Sequence, residues 1–174
     1  SEVAPPADFR GPSLSPNGDR VAVRLREANS DNLDLWVMDL VRGTSTRFTF
    51  DPKPDGNPAW SPDGSRIAWT ATAGDSGAIA VKSASGMGQM QVLSRLSGGG
   101  AVLDWSRDGR YILYQLLTPT NGSDIFAVPA SGEGPTEIVV SSPFRDIRAR
   151  FSPDGRWIAY ESDESGRSEV YVVP

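Results

Sequence analysis

The sequence predicts an all-β chain made of one small antiparallel unit written four times, and three observations carry that prediction. First, a turn phrase recurs: "SPNGDRVAV" from Ser15, "SPDGSRIAW" from Ser61, "SRDGRYILY" from Ser106 and "SPDGRWIAY" from Ser152. Second, its glycines, Gly18, Gly64, Gly109 and Gly155, stand 46, 45 and 46 residues apart. Third, no ten-residue stretch sustains a helical apolar period, whereas short apolar runs between turns abound. A period of about 45 residues points to propeller blades.

Each copy divides into four strand-like pieces. The first ends in a large apolar residue before the turn: Leu14, Trp60, Trp105 and Phe151. The turn follows as Ser15-Pro16-Asn17-Gly18, Ser61-Pro62-Asp63-Gly64, Ser106 with Asp108-Gly109, and Ser152-Pro153-Asp154-Gly155. Pro presets φ at the first corner, Asp or Asn bonds nearby backbone N–H groups, and Gly takes the left-handed position. Arg107 replaces Pro in the third turn, which loses only the preset φ. The second strands are "RVAVRL", "RIAWTA", "RYILYQL" and "RWIAYES"; the third are "DLWVMDL", "AIAVKSA", "DIFAVPA" and "EVYVVP". The fourth are "STRFTF", "MQVLSR" and "TEIVV". The fourth copy offers none, so its blade is expected to be incomplete.

Four short strands form a sheet too thin to bury both faces alone. Stacking such sheets about an axis covers the faces and leaves only short edges. The expected fold is therefore a β-propeller of four-stranded antiparallel blades, read as part of a larger propeller. The expected divisions are an N-terminal extension over 1–10 and blades over 11–55, 56–100, 101–146 and 147–174. The Pro5-Pro6 pair makes the extension a poor donor of a missing strand.

Composition removes whole classes of chemistry. The 174 residues carry 17 Lys+Arg against 22 Asp+Glu, a net charge of −5, which disfavours nucleic acid. No apolar run approaches a membrane-spanning length, so no membrane insertion by this segment is expected. The chain has no His and no Cys. The commonest general base, thiolate zinc sites and thiol nucleophiles are thereby excluded. No metal, cofactor or catalytic residue is expected.

Several motifs invite a sharper reading. "GDSGA" (74–78) has the letters of a serine-protease nucleophile loop, but Ser76 has no histidine to take its proton. "GMGQMQ" (86–91) lacks the third glycine and the helix of a dinucleotide fingerprint. The acidic loops "ANSDNLD" (28–34), "DPKPDG" (51–56) and "SDESGRSE" (162–169) offer oxygens of the kind calcium takes, though none has the spacing of a helix-loop-helix calcium loop. Solvated turns account for them better, and calcium stays the weaker reading. "NGS" (121–123) and Asn57 read as turns. Recurrent charges follow the turns: Arg20, Arg66, Arg110 and Arg156 just after the glycine, and, in every copy but the second, which reads "GAIAV" there, Asp34, Asp124 and Glu169 some 15 residues later. Pairing across strands or blades is the expected role, with convergence of the arginines on an anion as the lesser alternative.

The phrases "PAWSPDGSRIAW", "DLWVMDL", "TRFTFDP" and "RFSPDGRWIAYESDESGRSEVYVVP" resemble the TolB-like, WD40-like (PD40) propeller repeats of bacteria, from Gly11 to Pro174. The last stretch, with "TRFTF", is most similar to the propellers that follow a membrane segment in acidobacterial-type serine/threonine kinases. The resemblance implies a non-catalytic scaffold in the periplasm or outside the cytoplasmic membrane. Its partner would be a protein, a peptide or an envelope component, and a kinase-linked chain would be a sensor or docking region. The alternative is the gating propeller of a prolyl-oligopeptidase-like serine peptidase whose catalytic domain lies elsewhere. An unfinished blade also leads to an expectation of self-association.

Overall fold

In the computed structural model the described residues are 8–26, 32–73, 76–118 and 122–174. They form strands and turns without a helix. Among the described residues no helix is long and apolar enough to cross a membrane. Sheet 1 comprises β1 (Asp8–Leu14), β2 (Arg20–Arg26), β3 (Leu33–Asp39) and β4 (Thr44–Arg47). Sheet 2 comprises β5 (Gly56–Trp60), β6 (Arg66–Ala73), β7 (Ser76–Ser83) and β8 (Gln91–Arg95). Sheet 3 comprises β9 (Gly100–Trp105), β10 (Tyr111–Thr118), β11 (Gly122–Pro129) and β12 (Glu137–Val140). Sheet 4 holds β13 (Ile147–Phe151), β14 (Ile158–Ser162) and β15 (Glu169–Val173). Each sheet is an antiparallel meander in chain order. β1 begins inside the stretch read as an N-terminal extension, and pairs with β2.

The repeated turn builds the β1–β2, β5–β6, β9–β10 and β13–β14 hairpins in one way. The serine N–H and C=O close the hairpin: Ser61 N–H donates to the Arg66 carbonyl at 2.9 Å, and Gly64 N–H donates to the Ser61 carbonyl at 2.8 Å. The serine hydroxyl accepts an N–H five residues on, at 2.9 Å from Arg20, Arg66 and Tyr111, which open β2, β6 and β10, and at 3.0 Å from Trp157, just before β14. The glycines have φ of 75°, 70°, 77° and 69°, the left-handed region that a side chain resists.

Strand alternation explains the stacking. On β6, Ile67, Trp69 and Ala71 face sheet 1, while Ala68 faces sheet 3. On β10, Ile112 and Tyr114 pack towards sheet 2 and Leu113 towards sheet 4. The central sheets are thus apolar on both faces, as sheets covered on both sides must be. The first strands β1, β5, β9 and β13 follow one another in an arc, each packed on the next. Four sheets stacked about a common side, with a three-stranded fourth, fit part of a propeller.

Every first strand carries a bulge against its second. In three of them the extra residue is left-handed: Gly11 (φ 56°), Asn57 (φ 48°) and Arg148 (φ 58°). Asn57, expected in a turn, lies within β5 at this bulge. Such bulges bend a strand and re-aim its end.

Candidate functional site

The four bent first strands meet around a cavity of about 510 Å³ at the turn end of the array. Leu14, Trp60, Trp105 and Phe151, the large residues that precede the turns, line it from the four sheets. The turns add Pro16, Pro62 and Pro153 at the rim, where the third copy places Arg107. Asp104 and Arg150 complete the charged groups of the wall. Trp60 and Trp105 are buried, whereas Leu14 is 58% exposed and so presents apolar surface at the mouth.

Hydrogen bonds fix this wall between neighbouring sheets. Trp60 Nε1 donates to the Ser13 carbonyl at 2.9 Å, joining β5 to β1. Phe151 N–H donates to Asp104 Oδ2 at 2.9 Å, joining β13 to β9. Arg150 Nη1 donates to the carbonyls of Leu103 and Ala149. The turn carboxylates are held ionised: Asp63 is pulled down to about 2, first by the Ser61 hydroxyl and then by the Ser65 N–H. Asp108 falls to about 2 for the same reason, with the Ser106 hydroxyl first and Arg110 after it. Asp154 is lowered by Ser152 and Arg156.

The recurrent charges take other places. Arg20 stacks on Trp60 at 4.8 Å and donates to the Gly64 carbonyl at 3.3 Å. Arg66 repeats this one sheet on, stacking on Trp105 at 4.9 Å and donating to the Ala130 carbonyl at 3.0 Å. Arg110 and Arg156 instead reach back to their own turn acids, Asp108 at 2.6 Å and Asp154 at 2.7 Å. Asp34 pairs with Arg47 at 2.7 Å, Asp124 Oδ2 accepts the Ser141 hydroxyl at 3.1 Å, and Glu169 pairs with Arg167 at 2.6 Å. The expected pairing of the two sets does not form, because they sit at opposite strand ends. Arg20 is opposite Asp39, while Asp34 is opposite Leu25. Nor do the four arginines converge: Arg20 borders one cleft, and Arg66 and Arg110 another.

A second cleft of about 460 Å³ lies at the far end, between sheets 1, 2 and 3. Gly98, Gly99 and Gly100 line it, with Arg24, whose Nε donates to the Asp55 carbonyl at 3.0 Å. The Asp55 carboxylate is buried, takes the Trp69 indole N–H at 3.1 Å, and is pushed up to about 6, mainly by burial. Asp146 occupies the same place in the fourth copy, with its Oδ2 taking the Ser142 hydroxyl at 2.7 Å. The third copy has Gly100 there, where a Cβ would lie 2.7 Å from the Gln115 carbonyl oxygen.

The motifs weighed earlier are absorbed by the fold or fall outside it. Residues 28–31 of "ANSDNLD", 74–75 of "GDSGA" and Asn121 of "NGS" lie outside the described residues. Ser76 and Gly77 open β7, and "GMGQMQ" is the loop that leads into β8. In "SDESGRSE", Asp163 Oδ1 accepts the Arg145 N–H at 2.9 Å. Among the described residues no three acidic side chains gather as a metal-binding group. The sequence reading passed over Arg150 and Asp104 as site residues, and read Arg107 only as a lost proline. Its signal was that it alone departs from proline at the second position of the repeated turn.

Comparison with known proteins agrees with this fold. Residues 57–174 match the PD40 family, the TolB β-propeller domain. The Tol-Pal system protein TolB of Bordetella pertussis is 32% identical over 119 residues, covering 68% of this chain and 27% of that protein. An uncharacterized peptidase, YuxL of Bacillus subtilis, is 29% identical over 207 residues, covering 93% of this chain and 31% of its own length. The chain therefore spans about a quarter to a third of these curated relatives. The solved structure of a putative TolB from Agrobacterium tumefaciens superposes with a TM-score of 0.83 at 22% identity, covering 98% of this chain and 60% of that one. The chain belongs to the TolB-type (PD40) β-propeller family.

Proposed function

We propose that this chain is a non-catalytic propeller scaffold that binds a protein, a peptide or an envelope component at the turn end of its axis, outside the cytoplasmic membrane. The observation that carries the reading is the axial cavity, to which all four sheets contribute a large apolar side chain. Rigid strands hold the loops and turns around it, and recognition concentrates on loops held by such frames. Asp104 is the one acidic group among the described residues lining the cavity, so a carboxylate pair for acid–base chemistry is not assembled there. In a kinase-linked parent the same surface is the docking or sensing region. A kinase and a membrane helix encoded upstream in the full gene support that finer reading, and their absence removes it.

A photo-crosslinking residue at Leu14, on the cavity mouth, is expected to capture a discrete partner in the cell envelope. The same group at Val41, 81% exposed on the β3–β4 turn, is expected to capture none. Adducts from Val41 alone, or turnover of peptide or glycoside substrates by the purified chain, overturn the proposal. The second reading, a gating propeller beside a serine-peptidase domain, is favoured by the likeness to the YuxL peptidase over most of this chain. A nucleophile-elbow hydrolase domain encoded downstream decides for it.

A further inference from the structure

We propose that the axial cavity recognises a carboxylate set beside an apolar side chain, on a peptide segment, through Arg107 and Arg150. This rests on the scaffold reading above and names its ligand chemistry. The whole chain carries −5, yet the charged groups lining the cavity are Arg107, Arg150 and Asp104. Asp104 is already engaged, its Oδ2 accepting the Phe151 N–H. The cavity is thus a locally positive spot on an acidic protein, where an anion is drawn in and a cation is not.

The two arginines do different work. Arg150 is pre-positioned, because Nη1 is tied to the Leu103 and Ala149 carbonyls across the seam of sheets 3 and 4. Carbonyls fix its direction without neutralising its charge, which leaves the rest of the fork for a carboxylate. Arg107 stands exposed at the rim where the sister turns have Pro16, Pro62 and Pro153, and it has no carboxylate within ion-pair distance among the described residues. Its counterparts after the turn, Arg110 and Arg156, do have such partners. Around this positive corner the wall is apolar: Leu14, Trp60, Trp105 and Phe151, with prolines between them. A ligand that satisfies both halves carries a carboxylate and an aliphatic or aromatic side chain. Either a Glu or Asp side chain or a free peptide C-terminus supplies the first.

The test uses apolar tetrapeptides labelled at the N-terminus in three matched forms: a Glu residue with an amidated end, a free C-terminal carboxylate, and a neutral Gln amide. Fluorescence anisotropy with the intact chain reads binding at low and moderate salt. At least one carboxylate form is expected to bind tenfold or more tighter than the neutral form, and to weaken with salt. Preference between the two carboxylate forms identifies the source. Arg107→Gln and Arg150→Gln are each expected to reduce that preference about fivefold, with the neutral peptide unaffected. Because Arg150 also ties two sheets, Arg107→Pro provides the cleaner variant: it restores the sister turn and removes the charge. Equal binding of all three forms overturns this inference and leaves the scaffold reading in place. No binding of any form also overturns it, and the crosslinking at Leu14 then judges the scaffold reading separately.

Discussion

The seam between sheets 2 and 3 and the seam between sheets 3 and 4 are built from the same repeat, yet they are closed differently. At the first, Trp105 and Tyr114 are buried among Ile79, Val81 and Ile112, and Arg66 is laid over the Trp105 ring. At the second, the corresponding aromatic is Phe151, only partly buried, and Tyr111 and Tyr171 are half covered as well. The arginine that would stack there, Arg110, turns back to Asp108 instead. Val170 and Val172 on the far face of sheet 4 are 75% and 57% exposed. Repetition of sequence therefore fixes the shape of each sheet, while cohesion between sheets depends on a few residues that vary from copy to copy.

The largest expected contrast comes from the two aromatics. Trp105→Ala removes a buried ring and is expected to cost about 3–5 kcal/mol, whereas Phe151→Ala, at a half-open seam, costs about 1–2 kcal/mol. Denaturant midpoints of the two variants measure this, and equal losses would break the comparison.

Next comes Asp55. Its carboxyl is raised to about 6 by burial, against about 3.9 in the unfolded chain. The folded form then holds more protons than the unfolded form between those values, so this group lowers stability as pH rises from about 4 to about 6. The full penalty, about 2–3 kcal/mol at most, applies above pH 6. Asp55→Asn keeps an acceptor for the Trp69 indole and is expected to stabilise at pH 7.5 but not at pH 4.

Arg66→Ala is expected to cost about 1–2 kcal/mol, through the lost stack on Trp105 and the lost bond to Ala130. The equivalent Arg110→Ala, in an exposed pair with its own turn, is expected to leave the denaturant midpoint nearly unchanged. The smallest effect belongs to the turn acids. Asp63 and Asp108, lowered to about 2, stabilise their turns above about pH 4 and lose that contribution as pH falls towards 2. The first turn has Asn17 instead, so Asp63→Asn and Asp108→Asn should flatten the acid limb of stability only slightly.

Much of this was legible beforehand, because it repeats locally. The glycine spacing and the apolar runs placed fifteen strands in four sheets, and the turn aspartates bond nearby N–H groups as expected, from Ser65, Arg110 and Arg156, whereas the part the serine plays in closing each hairpin was not read. The seams were harder to read. Arg20 and Arg66 stand at a fixed offset from their turn, but their ring partners lie on the next sheet, and nothing local shows that Arg110 breaks the series. The bulges were hidden because Asn57 and Arg148 take the left-handed region without a glycine to mark it. Asp55 and Asp146 did have a signal, the same distance before the turn glycine in two copies, which loop composition masked. The cavity was out of reach, since its four walls are some 45 residues apart in sequence and meet only when the sheets stack.

Native-state hydrogen exchange tests the central claim most directly, namely that the sheets stand by stacking and that the last seam is the weakest. The amides of β14 and β15 are expected to exchange well before those of β6, β7, β10 and β11, which should open together and last. Protection of β14 and β15 equal to that of β10 and β11 would contradict the account.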